Sequence, residues 1–310
     1  MKLTRTTFRG PWAGLPVAWK DDDSFDEKTY RGDVARCCAA GVPGVYTGGT
    51  TGEFYAQEYE DFTAIADTAI SECKRSGTPV MIGCTSTSTR GAIRRARYAR
   101  DSGADAIQIA IPFWMALTDD EILRFFVELA AAVPGMPISI YETLRAKRAI
   151  PLQVHRKIHA EIPSVLMVKS NEDTLGATKA GCAAISKLYN VFVSENKICE
   201  LGPYGAIGSC SSFVYLNPRM TLKMFDLLYA KKWKELKVMT GQVHRIIFEG
   251  LKPLLARGHL DSSLDRILGR CAGFLKTSLR CRGPYSSCTA KDLGKVQAWM
   301  KKNMPEWLEL

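Results

Sequence analysis

Short apolar runs alternate with amphipathic helical patterns along the chain from residue 14 to about residue 230. Each apolar run has the length and the continuous hydrophobic character of a strand that is buried on both faces. The predicted strands lie at 15–19, 44–47, 79–84, 106–111, 137–141, 165–169, 191–194 and 206–210. The most regular helical patterns between them cover 58–74, 89–101, 118–133 and 152–161.

Eight strands, each followed by a helix or crossover at intervals of roughly 30 residues, favour an α/β fold of the (β/α)8 TIM-barrel type. The seventh unit is short, so an open doubly wound sheet stays as the alternative. Beyond residue 230 the pattern is helical, with predicted helices over 232–249, 263–275 and 289–304. We therefore predict a barrel domain over 1–230 and a three-helix appendage over 231–310, with a structural or oligomeric role for the appendage.

The composition is that of an ordinary globular protein, with 310 residues of which 46% are hydrophobic. No apolar run approaches the roughly 18 residues of a membrane span. The ten cysteines form no C-x-x-C motif, and several lie within predicted helices and strands, which favours reduced thiols and a cytoplasmic location. The basic N-terminus lacks the apolar core of a signal peptide, although an organellar transit segment stays open.

The formal net charge of +10 raises the question of nucleic-acid binding. The basic residues are densest after Arg219, in amphipathic stretches whose charged face is explained by solvation. The same field attracts small anionic substrates. We therefore expect small-molecule substrates and neither a nucleic-acid nor a membrane partner.

Lys169 ends the apolar run 165–168. Alternation along a strand places its side chain on the same face as Val165 and Met167, which is the inward face at the carboxyl end of the sixth strand. A lysine in partly apolar surroundings has more free amine, the form that makes Schiff bases with carbonyl compounds. The competing interpretation is a lysine that ends a strand and extends into water.

Tyr141 closes the fifth strand one βα unit earlier, with Ser139 on the same face. Neighbouring strands lie about 4.8 Å apart, so Tyr141 and Lys169 can reach one substrate carbon. A phenol beside such an amine suits proton transfer during Schiff-base formation.

Two glycine-rich loops follow other strands. Residues 48–53, Gly-Gly-Thr-Thr-Gly-Glu, follow the second strand, and Gly49, Thr50 and Thr51 offer N–H and hydroxyl donors suited to a carboxylate. Residues 202–208 precede or begin the eighth strand, where barrels often hold anionic groups, and Gly208 closes this G-x-x-G-x-x-G segment. For both loops a plain turn is the alternative.

Other chemistry has weaker support. The chain has neither a G-x-G-x-x-G motif nor a P-loop, which argues against a dinucleotide or nucleoside-triphosphate site. His155 and His159 lack the glutamate of H-E-x-x-H, and we interpret them as a surface pair on an outer helix. We expect no metal.

Together these residues resemble the family of dihydrodipicolinate synthase and N-acetylneuraminate lyase. The resemblance rests on GGTTGE at 48–53, IPFW at 111–114, strands that end in Tyr141 and Lys169, and GAIGSCSSFVYLNP at 205–218. It implies a class I aldolase without a cofactor, usually a homotetramer. It further implies that Lys169 forms a Schiff base with pyruvate or another 2-oxo acid, that Tyr141 transfers protons, and that Thr50 and Thr51 bind the carboxylate, with Thr51 also in the proton relay.

Departures from the family pattern concern the second substrate. Trp114 stands where the synthases usually carry a tyrosine that a partner subunit donates to the relay. Arg145 matches the family arginine only with a shift of one residue, and Glu195 stands after the seventh strand where Gly-Asp is common. These three residues are candidates for recognising the second substrate.

The sequence therefore predicts a lyase or aldolase that joins or cleaves a 2-oxo acid and an aldehyde. The alternatives within the family are 4-hydroxy-tetrahydrodipicolinate synthase, a hydratase-aldolase and a 2-oxo-sugar-acid aldolase. A non-catalytic barrel or a basic binding protein is the alternative from another class, because fold alone does not give function. The Pro-Phe-Trp segment is more similar to the hydratase-aldolase branch.

Overall fold

A computed structural model describes residues 3–171 and 174–310. Its eight parallel strands form a closed barrel in chain order, which confirms the (β/α)8 prediction and excludes the open sheet. The strands are β1 Gly10–Gly14, β2 Val45–Thr47, β3 Val80–Gly83, β4 Ala106–Ile109, β5 Ile138–Glu142, β6 Val165–Ser170, β7 Asn190–Phe192 and β8 Ala206–Ser211.

Eight helices follow the strands, and further helices complete the C-terminal region. The first eight are α1 Glu27–Ala39, α2 Tyr59–Ser76, α3 Thr89–Ser102, α4 Asp119–Ala132, α5 Leu152–Glu161, α6 Lys179–Ile185, α7 Ile198–Leu201 and α8 Pro218–Tyr229. The C-terminal ones are α9 Trp233–Arg245, α10 Lys252–Leu255, α11 Asp261–Cys271 and α12 Ala290–Asn303. The three long helices predicted there are therefore present, and the proposed boundary near residue 230 stays a prediction.

Local signals explain where the predicted helices begin. Thr118 caps α4, because its hydroxyl accepts from the backbone N–H of Glu121 and the Glu121 carboxylate accepts from the N–H of Thr118 at 2.7 Å. Asp119 and Asp120 add negative charge to the first turn, where the helix dipole favours it. Pro151 directly precedes α5, which begins and ends at the predicted residues.

The prediction for the first strand is wrong. β1 covers Gly10–Gly14, whereas 15–19 was expected. Leu15 and Val17 are just as buried as the strand itself, so the apolar run continues past the end of the ladder. Pro16 has no N–H for a ladder hydrogen bond, and β1 carries glycine at both ends. Apolar character alone therefore does not locate the first strand within this segment.

The chain packs as two compact units. One unit contains the N-terminal segment up to Gly10 and residues 79–210, and thus β3 to β7 with most of β8. Its interior has a polar layer, in which Gln108 donates to Ser139 at 3.1 Å and the Ser139 hydroxyl contacts the Met167 sulfur at 3.1 Å. This layer confirms that the face of β6 that carries Met167 points inward.

The other unit contains residues 11–78 and 211–310. Within it the Tyr215 hydroxyl donates to the Gly14 carbonyl at 3.1 Å, which ties the start of the C-terminal half to the end of β1. Asn217 caps α8 and also donates to the Glu309 carbonyl at 2.7 Å. Helices α9 and α10 are joined by a π-helical turn at Ile246–Gly250. Among all helices of the described residues, none has both the length and the apolar character that a bilayer span requires.

Asn190 of β7 forms hydrogen bonds with the N-terminal segment 3–10. Its amide nitrogen donates to the carbonyls of Arg5 and Phe8, both at 2.7 Å, and the Phe8 ring packs edge-on against Phe192 at 5.7 Å. Asn190 is buried, so a truncated side chain leaves two carbonyls without this donor. This contact therefore helps to hold the segment 3–10 against β7.

We predict that Asn190→Ala lowers the free energy of unfolding by about 1–3 kcal/mol, because buried carbonyls lose their partners. Urea titration followed by circular dichroism measures the change. Asn303→Ala is the control, since the Asn303 amide makes one bond to the Trp299 carbonyl at the end of α12. Equal unfolding midpoints for the two variants would contradict the role given to Asn190.

Candidate active site

The register between β5 and β6 places Tyr141 and Lys169 side by side. The two residues are direct ladder partners, and the Lys169 ammonium lies 4.3 Å from the centroid of the Tyr141 ring. Tyr141 is buried, whereas Lys169 is half-buried. A cation over an aromatic face is attracted by the ring quadrupole. The two residues singled out in the sequence are therefore neighbours at the carboxyl ends of adjacent strands.

Asn171 adds a contact that the sequence analysis missed. It lies two residues after Lys169, and its side-chain amide donates to the Tyr141 hydroxyl oxygen at 3.2 Å. A donor to this oxygen stabilises negative charge that develops when the phenol gives up its proton. The alternation that placed Lys169 inward also applies to position 171, so the sequence did contain a signal for it.

The Glu142 carboxylate forms hydrogen bonds at these strand ends, on the face opposite to Tyr141 and Lys169. Glu142 follows Tyr141 and accepts from the Ile150 N–H at 3.0 Å and from the Ser170 hydroxyl at 3.4 Å. The His155 Nε2 atom lies 3.7 Å from the same carboxylate. The interpretation of His155 and His159 as a surface pair is therefore wrong for His155, which is fully buried because it lies on the inner face of α5.

Cys210 of β8 contacts Gln108 of the polar layer, and the charges of Lys169 and Glu195 act on its thiol. Its sulfur lies 3.7 Å from the Gln108 amide nitrogen. Burial raises the pKa of the Cys210 thiol, the Lys169 ammonium acts in the opposite direction, and Glu195 contributes to the rise. Both charged side chains are thus within electrostatic reach of this sulfur.

Glu195 is itself buried and accepts from the Ser209 hydroxyl at 3.2 Å. Gly208, one residue earlier on β8, is explained by packing, since a Cβ there would lie 2.3 Å from the Phe192 ring. Any larger residue at 208 would displace Phe192 and disturb β7.

The remaining candidates of this unit lie at the surface. Trp114 is 76% exposed in the segment between β4 and α4, beside the equally open Met115. Arg145 is exposed on a short 3₁₀ turn, Leu144–Ala146, which Thr143 caps. The structure therefore gives these two side chains access to solvent and leaves their part in substrate recognition a prediction.

In the other unit, the loop after β2 is a tight turn that requires glycine. Gly48 has φ +77°, in the left-handed region that side chains disfavour. A Cβ on Gly49 would lie 2.1 Å from the Tyr46 hydroxyl oxygen, and one on Gly52 would lie 2.8 Å from the Gly48 nitrogen. The loop is therefore compact, with Thr50 buried and Thr51 half-buried.

Glu53 anchors the end of this loop although it adopts a positive φ of 54°. Its carboxylate accepts from the Trp19 indole N–H and from the Arg282 backbone N–H, each at 2.8 Å, and pairs with the Arg266 guanidinium. Glu53 and Arg266 are both fully buried. Such a pair holds geometry firmly, because either charge left alone in the interior would be costly.

The residue before Arg266 on α11 also contacts the loop. Asp265 accepts a hydrogen bond from the Thr51 hydroxyl, and Ser262 of the same helix bonds the Tyr55 hydroxyl at 3.1 Å. No pattern in the sequence indicates these contacts, since Asp265 lies more than 200 positions after Thr51 on a helix assigned to the appendage.

One group of described side chains has the composition of a metal site. His259, Cys288 and Asp292 place their ligand atoms within 4.8 Å of one another. Asp292, however, pairs with Arg257 at 2.7 Å and accepts from the Thr289 N–H and hydroxyl. These bonds hold the pKa of Asp292 down, at about 2. They also occupy the carboxylate, and the Arg257 cation beside it disfavours a metal ion.

Comparisons with known proteins agree with this architecture. A sequence profile of the "Dihydrodipicolinate synthetase family" matches residues 7–303. The chain is 32% identical over 218 residues to a 4-hydroxy-tetrahydrodipicolinate synthase of Bradyrhizobium diazoefficiens, with 70% of this chain and 72% of that protein covered. It is also 32% identical over 173 residues to a trans-O-hydroxybenzylidenepyruvate hydratase-aldolase of Sphingobium xenophagum, with 52% and 51% covered.

Solved structures show the same fold. A prophage protein of the dihydrodipicolinic acid synthase family from E. coli K12, crystallised in complex with pyruvate, superposes with a TM-score of 0.85. The match covers 95% of this chain and 98% of that one at 17% sequence identity. At this identity the likeness concerns the fold alone.

We predict that Glu53→Gln lowers the free energy of unfolding by about 3–5 kcal/mol, because it leaves the buried Arg266 charge uncompensated. Chemical denaturation measures the loss. Glu249→Gln is the matched control, since it makes the same chemical change in an exposed pair with Arg245 at 3.0 Å and should change stability little. A Glu53→Gln variant as stable as this control would refute the anchoring role.

Proposed function

The chain belongs to the dihydrodipicolinate synthetase family of carbon-carbon lyases, and from this premise we propose that Lys169 forms a Schiff base with pyruvate or another 2-oxo acid. The Lys169 amine attacks the ketone carbon, the resulting carbinolamine loses water, and a protonated imine remains. Loss of a proton from the adjacent carbon then gives an enamine that adds to an aldehyde. Run in reverse, the same steps cleave the carbon-carbon bond.

The observation that carries this proposal is the pairing of Lys169 with Tyr141 at adjacent strand ends, 4.3 Å from ammonium to ring centroid. Formation of the carbinolamine requires proton transfer to and from its oxygen. Tyr141 is the group next to the reacting nitrogen that can deliver and remove that proton. The Asn171 amide supports it, because it stabilises charge on the phenol oxygen.

For the carboxylate of the 2-oxo acid we propose the loop 48–53. By the family resemblance, Thr50 and Thr51 bind this group and Thr51 also takes part in the proton relay. The composition of the loop supports this role, since the backbone N–H groups of a glycine-rich turn and the two threonine hydroxyls are donors suited to a carboxylate. The loop follows the carboxyl end of β2, the position at which active-site loops of this fold lie.

Recognition of the second substrate is proposed for Trp114, Arg145 and Glu195, with Gly208 shaping the wall at β8. An indole at 114 cannot transfer protons as a phenol does, which disfavours 4-hydroxy-tetrahydrodipicolinate synthase. Its exposed apolar face suits an aromatic or apolar aldehyde. A hydratase-aldolase is therefore our preferred member of the family, and a 2-oxo-sugar-acid aldolase is the alternative.

Two further features are proposed from the family resemblance. The enzyme needs no organic cofactor, because the protonated imine itself withdraws electrons from the adjacent carbon. The chain assembles as a homo-oligomer, a tetramer or a dimer. Its overall positive charge favours the approach of anionic 2-oxo acids.

We predict that pyruvate followed by borohydride produces a reduced covalent adduct on Lys169, seen by intact mass and located by peptide mapping. Lys169→Ala should abolish the adduct. Lys169→Arg is the control that keeps the charge over the Tyr141 ring without a nucleophilic amine. If the wild-type protein gives no adduct, or if the adduct maps to another lysine, the proposed function fails.

Tyr141→Phe should keep the ring beneath Lys169 but remove the proton donor. We predict that the rate of adduct formation falls by roughly 10²–10⁴-fold, the usual contribution of a general acid-base group. Rapid-quench trapping measures this rate. Asn171→Ala should give a smaller reduction in the same direction, and a Tyr141→Phe rate equal to wild type would assign proton transfer to another group.

A further inference from the structure

Helices α1 and α2 bring two cysteines together. The Cys38 and Cys73 sulfurs lie 3.9 Å apart, and both thiols are reduced in the structure. We propose that this pair is a modification site for peroxide, at which Cys38 reacts with hydrogen peroxide and Cys73 then closes a disulfide between the two helices. Both helices belong to the same compact unit, and this chemistry does not depend on the Schiff base proposed for Lys169.

The packing of the two helices sets the separation of the sulfurs. α1 and α2 pack against each other, and a second contact between them joins the Arg31 guanidinium to the Ser71 hydroxyl at 3.0 Å. The sulfurs of a disulfide are about 2.05 Å apart, so each sulfur needs to move by about 1 Å. Side-chain rotation supplies a movement of this size while the helices stay in place.

Cys38 has the properties of the thiol that reacts first. Its contact with Cys73 lowers the pKa of the Cys38 thiol to about 6. The Ser76 and Thr78 hydroxyls shift this pKa in the same direction, whereas burial and the Glu72 charge oppose the shift. The thiolate is the nucleophilic form of cysteine, and a thiol with a pKa of about 6 is mostly thiolate at neutral pH.

The neighbouring thiols differ from Cys38 in exposure. Cys38 is 9% exposed, whereas Cys37 and Cys73 are fully buried. Burial also raises the pKa of the Cys37 thiol well above its ordinary value, and the Asp33 charge adds to this rise. Hydrogen peroxide is a small molecule, so it can reach a sulfur of limited exposure. Of the two adjacent cysteines on α1, Cys38 is therefore the reactive one, and Cys37 provides an internal control.

The reaction balances with hydrogen peroxide as the oxidant. The Cys38 thiolate attacks one peroxide oxygen, the O–O bond breaks, and the departing hydroxide takes up a proton to become water. The Cys73 sulfur then attacks the sulfur of the Cys38 sulfenic acid. The S–O bond breaks, and the hydroxide leaves with the Cys73 thiol proton as a second water. In total the two thiols lose two protons and two electrons, and one peroxide becomes two waters.

Cys73 makes the modification reversible. A sulfenic acid that meets no thiol is open to further oxidation to sulfinic acid, which thiol reductants do not reverse. A second sulfur 3.9 Å away converts the sulfenic acid to a disulfide first. Thiol reductants then restore the pair by exchange.

Peptide mapping of the whole wild-type chain tests the site. The reduced protein is treated with hydrogen peroxide, the remaining thiols are alkylated under denaturing conditions, and peptides are separated without reductant. Trypsin has no site between Arg36 and Lys74, so chymotrypsin is used to cleave between the two cysteines at aromatic residues. We expect a cross-linked peptide pair that contains Cys38 and Cys73, with Cys37 alkylated. Before alkylation the monomer should be lighter by two hydrogens, and dithiothreitol should restore its mass.

Single variants separate the two roles. Cys73→Ala should stop at the Cys38 sulfenic acid, which a dimedone probe captures. Cys38→Ala should slow oxidation of Cys73 by at least roughly tenfold, because the activated thiolate is gone. Cys37→Ala is the matched control on the same helix and should form the disulfide at the wild-type rate. Circular dichroism checks that each variant is folded.

Three results would overturn the inference. The first is a wild-type chain whose Cys38 and Cys73 are both still alkylated after a treatment that oxidises free cysteine in the same buffer. The second is a disulfide that joins Cys37 to Cys73, and neither of these results depends on a variant. The third is a folded Cys73→Ala variant in which the dimedone probe does not label Cys38.

Discussion

The alignment of β5 with β6 is the constraint on which the site depends. Because Tyr141 and Lys169 are ladder partners, their side chains leave adjacent strands at the same height and on the same side. A slip of one residue in either strand would turn one of them to the other face of the sheet. The next pair in the ladder, Glu142 and Ser170, is hydrogen-bonded on that other face and opposes such a slip.

The buried ion pair of Glu53 and Arg266 fixes the loop after β2. Glu53 adopts a backbone conformation that disfavours side chains, so its position must be stabilised by its contacts. Its carboxylate receives three different donors, from Trp19, Arg282 and Arg266. Replacing a pair of this kind by apolar residues can leave stability unchanged, so its value here lies in fixing the direction of the loop.

The sequence was informative wherever the signal was local and periodic. Alternation along β5 and β6 predicted the inward faces of Tyr141 and Lys169, and repeated strand-helix spacing predicted the closed barrel. It failed at β1, where the apolar run continues beyond the ladder. It also failed at His155, which a helical pattern with mixed polarity did not mark as buried. The contacts of Asp265 and Arg266 could not be predicted, since they join segments more than 200 residues apart.

The Lys169 nitrogen lies over the face of the Tyr141 ring, 4.3 Å from its centroid. A ring face of this kind attracts positive charge at the nitrogen. In the proposed reaction the protonated imine carries the same positive charge at the same nitrogen, so a ring face that stabilises the ammonium also stabilises that intermediate. The Tyr141 hydroxyl, which accepts from the Asn171 amide, is then left for proton exchange with the carbinolamine oxygen.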